Sequence, residues 1–470
     1  MNYRNKGVFE TKECRLEIQQ FGENSMSDKK DFTRREFLSR SGKIAAGVGT
    51  VLAAPAINVL GANDKIYLGI IGPGRRGRAI TMLCQQMAAE KKKPVEFIGV
   101  ADIFEGWREQ AVREIQRNNA RFELEETKDI ETYADHKKLL ENKDIDGVIV
   151  ATPEHLHAQH MLDVIAAGKD LYIEKPMVHT VEEGKTVVAA AKKSDCVIQC
   201  GTMRRSVPLY YQARDLIKSG AIGEVHYTEG WWHRNFKDDE PGAAWRYEIP
   251  EDANEDTIIW KDFIGPAPFV PFDTQRYFQW RCYWEYSNGI GSDLMVHQMD
   301  VINLVMGVTM PKSVVSSGDI YRWKDGRTSP DTWSSVFEYE EGFQANYRSQ
   351  FSNKHQEFGI RIMGSEGTIE ILMSALMNIF PEPAPYGNEK LEKKTVYYPE
   401  DNTGGNFMTA HFESVKDHFA NWIDCMVSRD KPSCDVETGY YGSALSSMAV
   451  DAYQQGKRLY WDKEREKVYS

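Results

Sequence analysis

The run Lys65-Ile66-Tyr67-Leu68-Gly69-Ile70-Ile71 leads directly into Gly72-Pro73-Gly74-Arg75-Arg76-Gly77. The first seven residues are largely apolar and predict a strand, and residues 78–90 predict a helix. Three glycines spaced as GxGxxG between a strand and a helix are typical of a dinucleotide-binding turn. The alternative is a plain turn, so the residues that follow have to decide between the two.

Each glycine of this motif has a function if a dinucleotide binds here. Gly72 permits the tight turn, Gly74 lets the backbone approach a pyrophosphate, and Gly77 lets the helix pack on the strand. The helix N-terminus attracts the anion. Arg75 and Arg76 either neutralise phosphates or are solvated loop charges, and both interpretations stay open.

The next predicted strand, residues 95–101, ends at Asp102. An acidic residue at this place in a dinucleotide-binding sheet bonds the ribose hydroxyls and repels a 2′-phosphate. Asp102 therefore favours NAD as the cofactor, with NADP as the remaining possibility. Because residues from Ile103 onward predict a helix, the competing interpretation is that Asp102 caps that helix.

Strands and helices continue to alternate as far as residue 201. Predicted strands span 147–151, 170–173 and 197–200, and predicted helices span 155–168 and 181–194. This alternation predicts an α/β domain over residues 63–201, with a doubly wound parallel sheet that binds ligands at the carboxyl ends of its strands. The residues at those ends that we expect to contact the cofactor are Thr152, Pro153, His157, Glu174 and Lys175.

Three histidines stand close together at 155, 157 and 160. A zinc site needs a fixed set of ligands, usually with a carboxylate or Cys among them. At the start of a helix that faces a nucleotide, these side chains are more simply capping, packing or solvated groups. We therefore predict no metal.

The pattern changes after Gly201. Residues 343–351 alternate between apolar or small and polar side chains, which predicts a strand with one buried face. Residues 314–321, 333–339 and 358–363 predict further strands, and residues 209–219 and 441–456 predict helices, the second of which closes the chain. Residues 202–470 are thus expected to form a C-terminal α+β domain with a large, mainly antiparallel open sheet.

Composition excludes several classes of protein. The 470-residue chain carries a net charge of −12 and has no long basic run, so nucleic acid and anionic membranes are poor partners. Its seven Cys are scattered and form no CxxC pair, which argues against a disulfide scaffold. We expect mostly reduced, buried thiols, a pattern that suits folding in the cytoplasm.

Residues 1–62 predict an export leader. Thr33-Arg34-Arg35-Glu36-Phe37-Leu38-Ser39 is a twin-arginine pattern, followed by a mildly apolar stretch at 44–60 and a small-residue cleavage site at 54–56. The alternative is a chance arginine pair before a buried helix. The ordered combination favours export through the twin-arginine machinery to the periplasm or beyond. Two alternatives stay open: that the true start is Met26, and that the signal is kept as an anchor.

Several motifs resemble one known family. They are Gly72-Pro73-Gly74, Thr152-Pro153, Glu174-Lys175-Pro176, Ile222-Gly223-Glu224-Val225, Asp293-Leu294-Met295-Val296-His297-Gln298-Met299-Asp300 and Gly364-Ser365-Glu366-Gly367-Thr368. In content and order they look like the glucose–fructose oxidoreductase / inositol dehydrogenase (Gfo/Idh/MocA) family. The resemblance implies an N-terminal Rossmann domain, a C-terminal sheet that commonly makes a homo-oligomer interface, and NAD(P)-dependent oxidation or reduction of sugars and polyols. By similarity to the inositol dehydrogenases, Lys175, Asp293 and His297 form the catalytic set.

The residue chemistry agrees with that resemblance. Asp293 and His297 are four residues apart and would share one helical face, which Asp300 extends by a turn. Oxidation of a secondary alcohol needs a base, and His297 is suited to it because its ordinary pKa lies near neutrality. Lys175 at a strand end can stabilise the developing alkoxide, and Asp293 would orient the substrate or His297. The alternative is an ordinary amphipathic helix with its polar residues outward.

Aromatic residues concentrate in one segment. Residues 227–286 hold six of the eleven Trp. Aromatic rings suit the C–H faces of sugars, but they are equally common in cores and subunit interfaces. The candidate substrate residues are Arg204, Trp284, Tyr286 and Asp300. Arg204-Arg205 and His233-Arg234-Asn235 could line the pocket, but the favoured interpretation of each is a solvated or structural group.

The predictions of export and of NAD dependence conflict, because a compartment outside the inner membrane is expected to lack a pool of free nucleotide. An exported enzyme would need to carry a tightly bound cofactor. The leading hypothesis is hydride transfer between a sugar or polyol hydroxyl and that cofactor. The alternatives are a redox-cycling NAD-dependent glycosidase or lyase, and a non-catalytic sugar-binding protein. The presence of Lys175, Asp293 and His297 argues against the last.

Overall fold

The computed structural model of the protein describes residues 64–402 and 404–470. The predicted leader at 1–62, including its twin-arginine pattern and Met26, lies outside the described residues. Within the described part, no helix combines the length and the apolar character needed to cross a bilayer.

The first half contains the predicted parallel sheet. Its strands are β1 (Ile66–Ile71), β2 (Val95–Ala101), β3 (Glu131–Tyr133), β4 (Gly147–Val150), β5 (Asp170–Ile173) and β6 (Ile198–Cys200). All pairs are parallel and the strand order is β3-β2-β1-β4-β5-β6, the doubly wound arrangement. The helices between the strands are α1 (Arg75–Glu90), α2 (Glu105–Phe122), α3 (His136–Glu141), α4 (His157–Ala166) and α5 (Val181–Ala191). The predicted doubly wound fold is confirmed.

The second half contains the predicted large sheet. Its strands are β7 (Val225–His233), β8 (Ser313–Asp319), β9 (Thr332–Glu338), β10 (Gln344–Gln350), β11 (Phe358–Gly364), β12 (Gly367–Leu372), β13 (Leu376–Pro381), β14 (Lys394–Tyr397), β15 (Leu459–Asp462) and β16 (Lys467–Tyr469). The order is β14-β13-β12-β11-β7-β10-β9-β8-β15-β16, and only β7 and β10 pair in parallel among these described strands. The mainly antiparallel open sheet is confirmed.

The second half also contains helices, some of which pack on the large sheet while others reach back to the first half. They are α6 (Pro208–Lys218), α7 (Trp260–Ile264), α8 (Thr274–Phe278), α9 (Met295–Met306), α10 (Phe407–Ser428) and α11 (Val436–Gln455). In α10, Phe419, Trp422 and Met426 are buried in the same apolar cluster as β1 and β2. A helix from late in the chain therefore completes the core on one side of the parallel sheet.

Two local predictions were wrong. The helix at 441–456 begins earlier, at Val436, and does not close the chain, because β15 and β16 follow it and extend the large sheet. Asp293 is not on a helix with His297, since α9 begins at Met295 after Leu294 at its N-cap. A short 3-10 turn, Gly289–Gly291, precedes it, so Asp293 belongs to the approach to the helix.

The cysteines behave as ordinary core residues. Six of them are described, and all six are free thiols. Five are buried and Cys196 is half-buried, while Cys14 lies outside the described residues.

Candidate active site

A cavity of about 2000 Å³ opens where the carboxyl ends of the parallel strands face the second half of the chain. A pocket for a drug-sized ligand usually measures roughly 300–1,000 Å³. This cavity therefore has room for a dinucleotide together with a second small molecule.

The glycine turn forms one wall of the cavity. Gly72 has a φ of +81°, and a Cβ there would lie 2.6 Å from Cγ2 of Thr152, so only glycine fits the turn. A Cβ at Gly77 would lie 2.4 Å from the carbonyl oxygen of Gly72, which explains how α1 packs so closely on the turn. Gly77 itself does not line the cavity.

Gly74 faces open space, since a Cβ at that position would meet no atom within 4 Å. It is also the N-cap of α1 and provides no side-chain cap for the first N–H groups. The helix starts three residues earlier than the sequence predicted, which places Arg75 and Arg76 in its first turn. An uncapped helix N-terminus beside an open cavity fits a diphosphate.

Asp102 lies at the end of β2 and lines the same cavity. Its Oδ1 accepts the N–H of Phe104 at 2.8 Å and the hydroxyl of Tyr277 at 3.2 Å. Burial raises the pKa of Asp102 to about 6 despite these two bonds. Phe104, and not Asp102, is the N-cap of α2. The carboxylate therefore keeps one oxygen for a ribose next to the turn.

The loops after β4 and β5 form the adjoining wall. Thr152, Pro153, Glu174 and Lys175 line the cavity. Nε of Arg76 donates to Oε1 of Glu174 at 3.0 Å, so Arg76 is committed to a buried carboxylate, while Arg75 lies over the ring of Tyr247.

His157 supports these loops from behind and does not line the cavity. Its Nδ1 lies 2.7 Å from the carbonyl oxygen of Pro176, and its Nε2 lies 2.9 Å from that of Thr152. His155 and His160 are likewise buried, against the Phe263 carbonyl and the Thr152 hydroxyl. Within 64–402 and 404–470, no three His, Cys, Asp or Glu side chains are arranged to hold a metal.

A buried charge cluster stands next to the loop after β5. Nζ of Lys175 donates to Oδ1 of Asp293 at 3.0 Å and to its main-chain oxygen at 2.7 Å. Nε of Arg281 donates to the same Oδ1 at 3.1 Å. Although burial alone would raise it, these two cations hold the pKa of Asp293 well below its ordinary value. An ammonium has three donors, so Lys175 has one N–H left for a ligand in the cavity that it lines.

His297 completes this part of the cavity wall. It is 6% exposed, its ring lies 5.4 Å from that of Trp232, and its Nδ1 has no partner among the described residues. Burial, with the charges of Lys175 and Arg204, holds the pKa of His297 well below its ordinary value. The imidazole is therefore neutral at physiological pH and has a lone pair for a proton.

The structure brings some of the candidate substrate residues into the cavity and leaves others out. Arg204 lines it. Asp300 does not: it is 3% exposed and its two oxygens accept from Nε of Arg205 at 2.8 and 2.9 Å, behind the cavity wall. Tyr286 packs on His155 and Phe263, and Trp284 lies near Tyr453. The structure therefore does not bring these three side chains into the cavity wall.

Other residues reach the cavity from positions that the sequence did not mark. Arg281 and His411 are the clearest, since no spacing links them to the glycine turn or to His297. The aromatic cluster in 227–286 did indicate the right segment. Its members in the cavity wall are Trp232, Trp245, Tyr247, Trp260, Phe263, Phe269, Tyr277, Phe278 and Trp280.

That segment also covers the Asp102 end of the cavity. Ile258 forms an antiparallel bridge with Phe104, and the N–H of Ile259 donates to the carbonyl oxygen of Ile103 at 3.1 Å. Phe278 packs edge-on against Phe104 and Trp107 at 5.6 and 5.7 Å. A part of the second half is thus fastened directly beside the predicted ribose site.

Together the strand order, the glycine turn, Asp102 and the cavity define a two-domain dinucleotide-binding protein with a second, polar subsite. Residues 67–202 match the model of an oxidoreductase family with an NAD-binding Rossmann fold, and residues 268–460 match its C-terminal alpha/beta domain. The chain belongs to this family, Gfo/Idh/MocA.

Curated relatives share moderate identity over parts of their length. The scyllo-inositol 2-dehydrogenase (NAD(+)) of Bacillus subtilis (strain 168) is 24% identical over 280 residues, 59% of this chain and 66% of that protein. The levoglucosan dehydrogenase of Pseudarthrobacter phenanthrenivorans is 25% identical over 186 residues, 39% of this chain and 42% of that protein. The matches thus span two thirds or less of these relatives.

Solved structures share the fold. The complex of levoglucosan dehydrogenase with NADH and levoglucosan superposes with a TM-score of 0.62 at 18% identity, over 84% of this chain and 99% of that one. An NAD binding oxidoreductase from Klebsiella pneumoniae gives 0.61 at 17% identity, over 84% and 98%.

Proposed function

We propose that the protein is an NAD-dependent oxidoreductase that transfers a hydride between a sugar or polyol hydroxyl and a tightly bound nicotinamide cofactor. One observation carries the proposal: the Lys175–Asp293 pair and His297 line the same cavity as the glycine turn and Asp102. Two relatives are named as dehydrogenases of scyllo-inositol and levoglucosan, which supports a sugar or polyol as the substrate.

Lys175, His297 and Asp293 each have a separate role in alcohol oxidation. When NAD is bound, it supplies the acceptor for the hydride that leaves the carbinol carbon. The remaining donor of Lys175 binds the hydroxyl oxygen and stabilises its negative charge as the proton leaves. Neutral His297 takes that proton, so the alcohol loses one hydride and one proton and becomes a carbonyl. Asp293 keeps Lys175 charged and aimed at the cavity.

Tight retention of the cofactor follows from the cover over the Asp102 end. A dinucleotide in the cavity would lie under the segment that the Phe104–Ile258 bridge fastens. The Phe278 contacts with Phe104 and Trp107 hold this segment beside Asp102 and so support retention of the nucleotide. We expect the nucleotide to remain with the protein through purification.

The test is to purify the full chain, release its nucleotide by denaturation and quantify it, then follow reduced nicotinamide on adding sugars. We expect about one nucleotide per chain and reduction of it by substrate. His297→Ala should keep the nucleotide and lose turnover, whereas Trp284→Ala, outside the cavity, should keep both. A protein that neither retains nor binds nucleotide contradicts the proposal, as does unchanged turnover in His297→Ala.

We also propose that the protein is exported in folded form by the twin-arginine machinery, which would bring its cofactor along. The ordered leader motifs at 33–39, 44–60 and 54–56 support this. Replacing Arg34 and Arg35 by Lys should keep the protein in the cytoplasm in cell fractionation. Export unaffected by both changes contradicts this route.

A homo-oligomer through the large sheet is the third part of the proposal. On the face of the sheet away from α9, Arg361 bonds Glu229 and Glu370, and Met363 is exposed. Such a surface, which combines charged and apolar groups, suits pairing with a second copy. Light scattering should give more than one chain per particle for the full-length protein, and Met363→Lys should lower that number. A monomer at micromolar concentration contradicts the proposal.

A further inference from the structure

Four basic side chains surround the place where the substrate hydroxyl is proposed to bind. Arg204 comes from the turn Met203–Ser206 after β6, and Arg234 follows β7 directly. Arg281 comes from the turn Trp280–Cys282, and Lys175 follows β5. All four line the cavity, although they come from four separate elements.

The carboxylates nearby leave Arg204 and Arg234 unpaired. Asp293 is shared by Lys175 and Arg281. Asp300 is occupied by Arg205. Among the described residues, no Asp or Glu oxygen lies within 4.0 Å of the guanidinium of Arg204 or Arg234. This end of the cavity therefore has an excess of positive charge.

Arg204 is the most telling member because it is only 5% exposed. Its Nη1 is buried and has no hydrogen-bond partner among the described residues. A buried guanidinium without a counter-charge is costly, so a native protein keeps one where a ligand completes it. At this depth, water compensates the charge of Arg204 much less than it does for a surface arginine.

Aromatic rings hold both arginines in place without using their N–H groups. The guanidinium of Arg204 lies 4.6 Å from the centroid of Trp232 and 4.5 Å from that of Phe358. The guanidinium of Arg234 lies 5.3 Å from the centroid of Trp232. Stacking takes the faces of the planar groups and leaves the N–H donors at the edges, the geometry that binds carboxylate, sulfate or phosphate oxygens.

The diphosphate of the cofactor is not the anion that we expect Arg204 and Arg234 to bind. A diphosphate is expected at the open, uncapped N-terminus of α1, near Gly74 and Arg75. Trp232, on which Arg204 and Arg234 stack, is instead in ring contact with His297. The unbalanced charge therefore belongs to the substrate subsite.

We propose that the substrate is an anionic sugar, whose carboxylate, sulfate or phosphate group binds Arg204 and Arg234 while one of its hydroxyls lies against Lys175 and His297. This inference rests on the proposed function and narrows its substrate class. The anionic group keeps its bonds throughout the oxidation. An anion beside Arg204 also offsets part of the positive charge that holds the pKa of His297 low, and so makes that residue a better base.

The experiment compares sugars that share stereochemistry and differ in one group. Calorimetry on the purified, nucleotide-containing full chain measures the binding of glucose, glucuronate, glucose 6-sulfate and glucose 6-phosphate, and of the galactose series. We expect at least one anionic member to bind about 10- to 100-fold more tightly than its neutral partner. The three anionic arms separate carboxylate, sulfate and phosphate as the preferred group.

Variants test whether Arg204 and Arg234 bind the anionic group. Arg234→Gln and Arg204→Gln should each reduce affinity for the anionic sugar toward that of the neutral one, and Arg234→Lys should keep part of the preference. Arg348→Gln, on a half-exposed arginine of the large sheet outside the cavity, is the matched control and should change nothing. If the Arg204 variant does not fold, the wild-type comparison still decides.

Failure of this inference and failure of the proposed function give different results. Equal binding of neutral and anionic members, or no binding of any anionic member, overturns this inference. Reduction of the cofactor by neutral sugars alone overturns it as well and leaves the proposed function standing. Tight, arginine-dependent binding of an anionic sugar with no cofactor reduction by any sugar supports the anion site and contradicts the proposed function.

Discussion

Replacing Asp293 by Asn should destabilise the protein strongly at neutral pH. The carboxylate is 5% exposed and is the counter-charge of two buried cations, with Lys175 Nζ at 3.0 Å and Arg281 Nε at 3.1 Å. Asn keeps the shape but removes the charge. Removing one partner of a buried pair costs about 3–5 kcal/mol, because the other charge stays buried without compensation.

The pH dependence of this loss has a definite sign. The folded protein holds the pKa of Asp293 below its ordinary value, so the carboxylate contributes stability above about pH 4, the pKa of an unfolded Asp. That contribution falls as the pH drops further toward the folded pKa. The variant has no such group to protonate. The gap in unfolding free energy between wild type and Asp293→Asn should therefore be widest near neutrality and narrow below about pH 4.

Urea titrations of the full chain, followed by tryptophan fluorescence at several pH values, measure this gap. Asp424→Asn is the matched control, because Asp424 pairs with Lys93 at the surface and is 60% exposed. An exposed pair contributes about 0–1 kcal/mol, so this control should stay close to wild type. A loss in Asp293→Asn no larger than that of the control, or a gap that does not change with pH, would refute the reasoning.

Three further predictions concern the cofactor and the base. Gly77→Ala should lower both stability and NAD affinity, since its Cβ would meet the Gly72 carbonyl at 2.4 Å, whereas Gly74→Ala should lower NAD affinity alone. The preference for NAD over NADP should weaken below about pH 6 as Asp102 is protonated, measured by binding titrations of both nucleotides. The apparent pKa of the acid limb of kcat/KM should lie below the ordinary pKa of histidine, because the fold keeps His297 neutral.

Each of these predictions has a contrary result. Equal NAD affinity in Gly74→Ala and wild type would mean that the diphosphate does not approach the turn. A preference for NAD over NADP that does not change between about pH 5 and 8 would mean that Asp102 does not contact the ribose. An acid limb centred near the ordinary histidine pKa of about 6.5 would exclude the buried, charge-shifted His297 as the base.

Five of the six strands of the first sheet could be predicted from the sequence, since their signals are local, while the short edge strand β3 was missed. The strand at 95–101 and the strand at 170–173 have the bounds that the apolar runs indicate, and the glycine spacing locates the turn. Alternation likewise indicated β10 and β11. These elements follow from patterns of a few consecutive residues and do not depend on contacts with distant parts of the chain.

The cavity wall could be predicted only in part, because it depends on contacts between distant residues. Apolar surface is common to core and pocket, so the sequence could not separate Trp284 and Tyr286, which lie outside the cavity, from Trp232. The Asp300 carboxylate is one turn from His297, yet Arg205 holds it behind the wall. Arg281 reaches Asp293 only because the segment between β7 and α9 folds over the first half.

The central claim, a sugar oxidoreductase with retained NAD, is tested most directly by one measurement. The purified full chain is mixed with neutral and anionic sugars and with aryl glycosides, and the absorbance of reduced nicotinamide and the release of aglycone are followed together. The account predicts reduced cofactor up to about one per chain, with an anionic sugar and without aglycone. Aglycone released over many turnovers with no net reduction would contradict it, since the protein would then be a redox-cycling glycosidase or lyase.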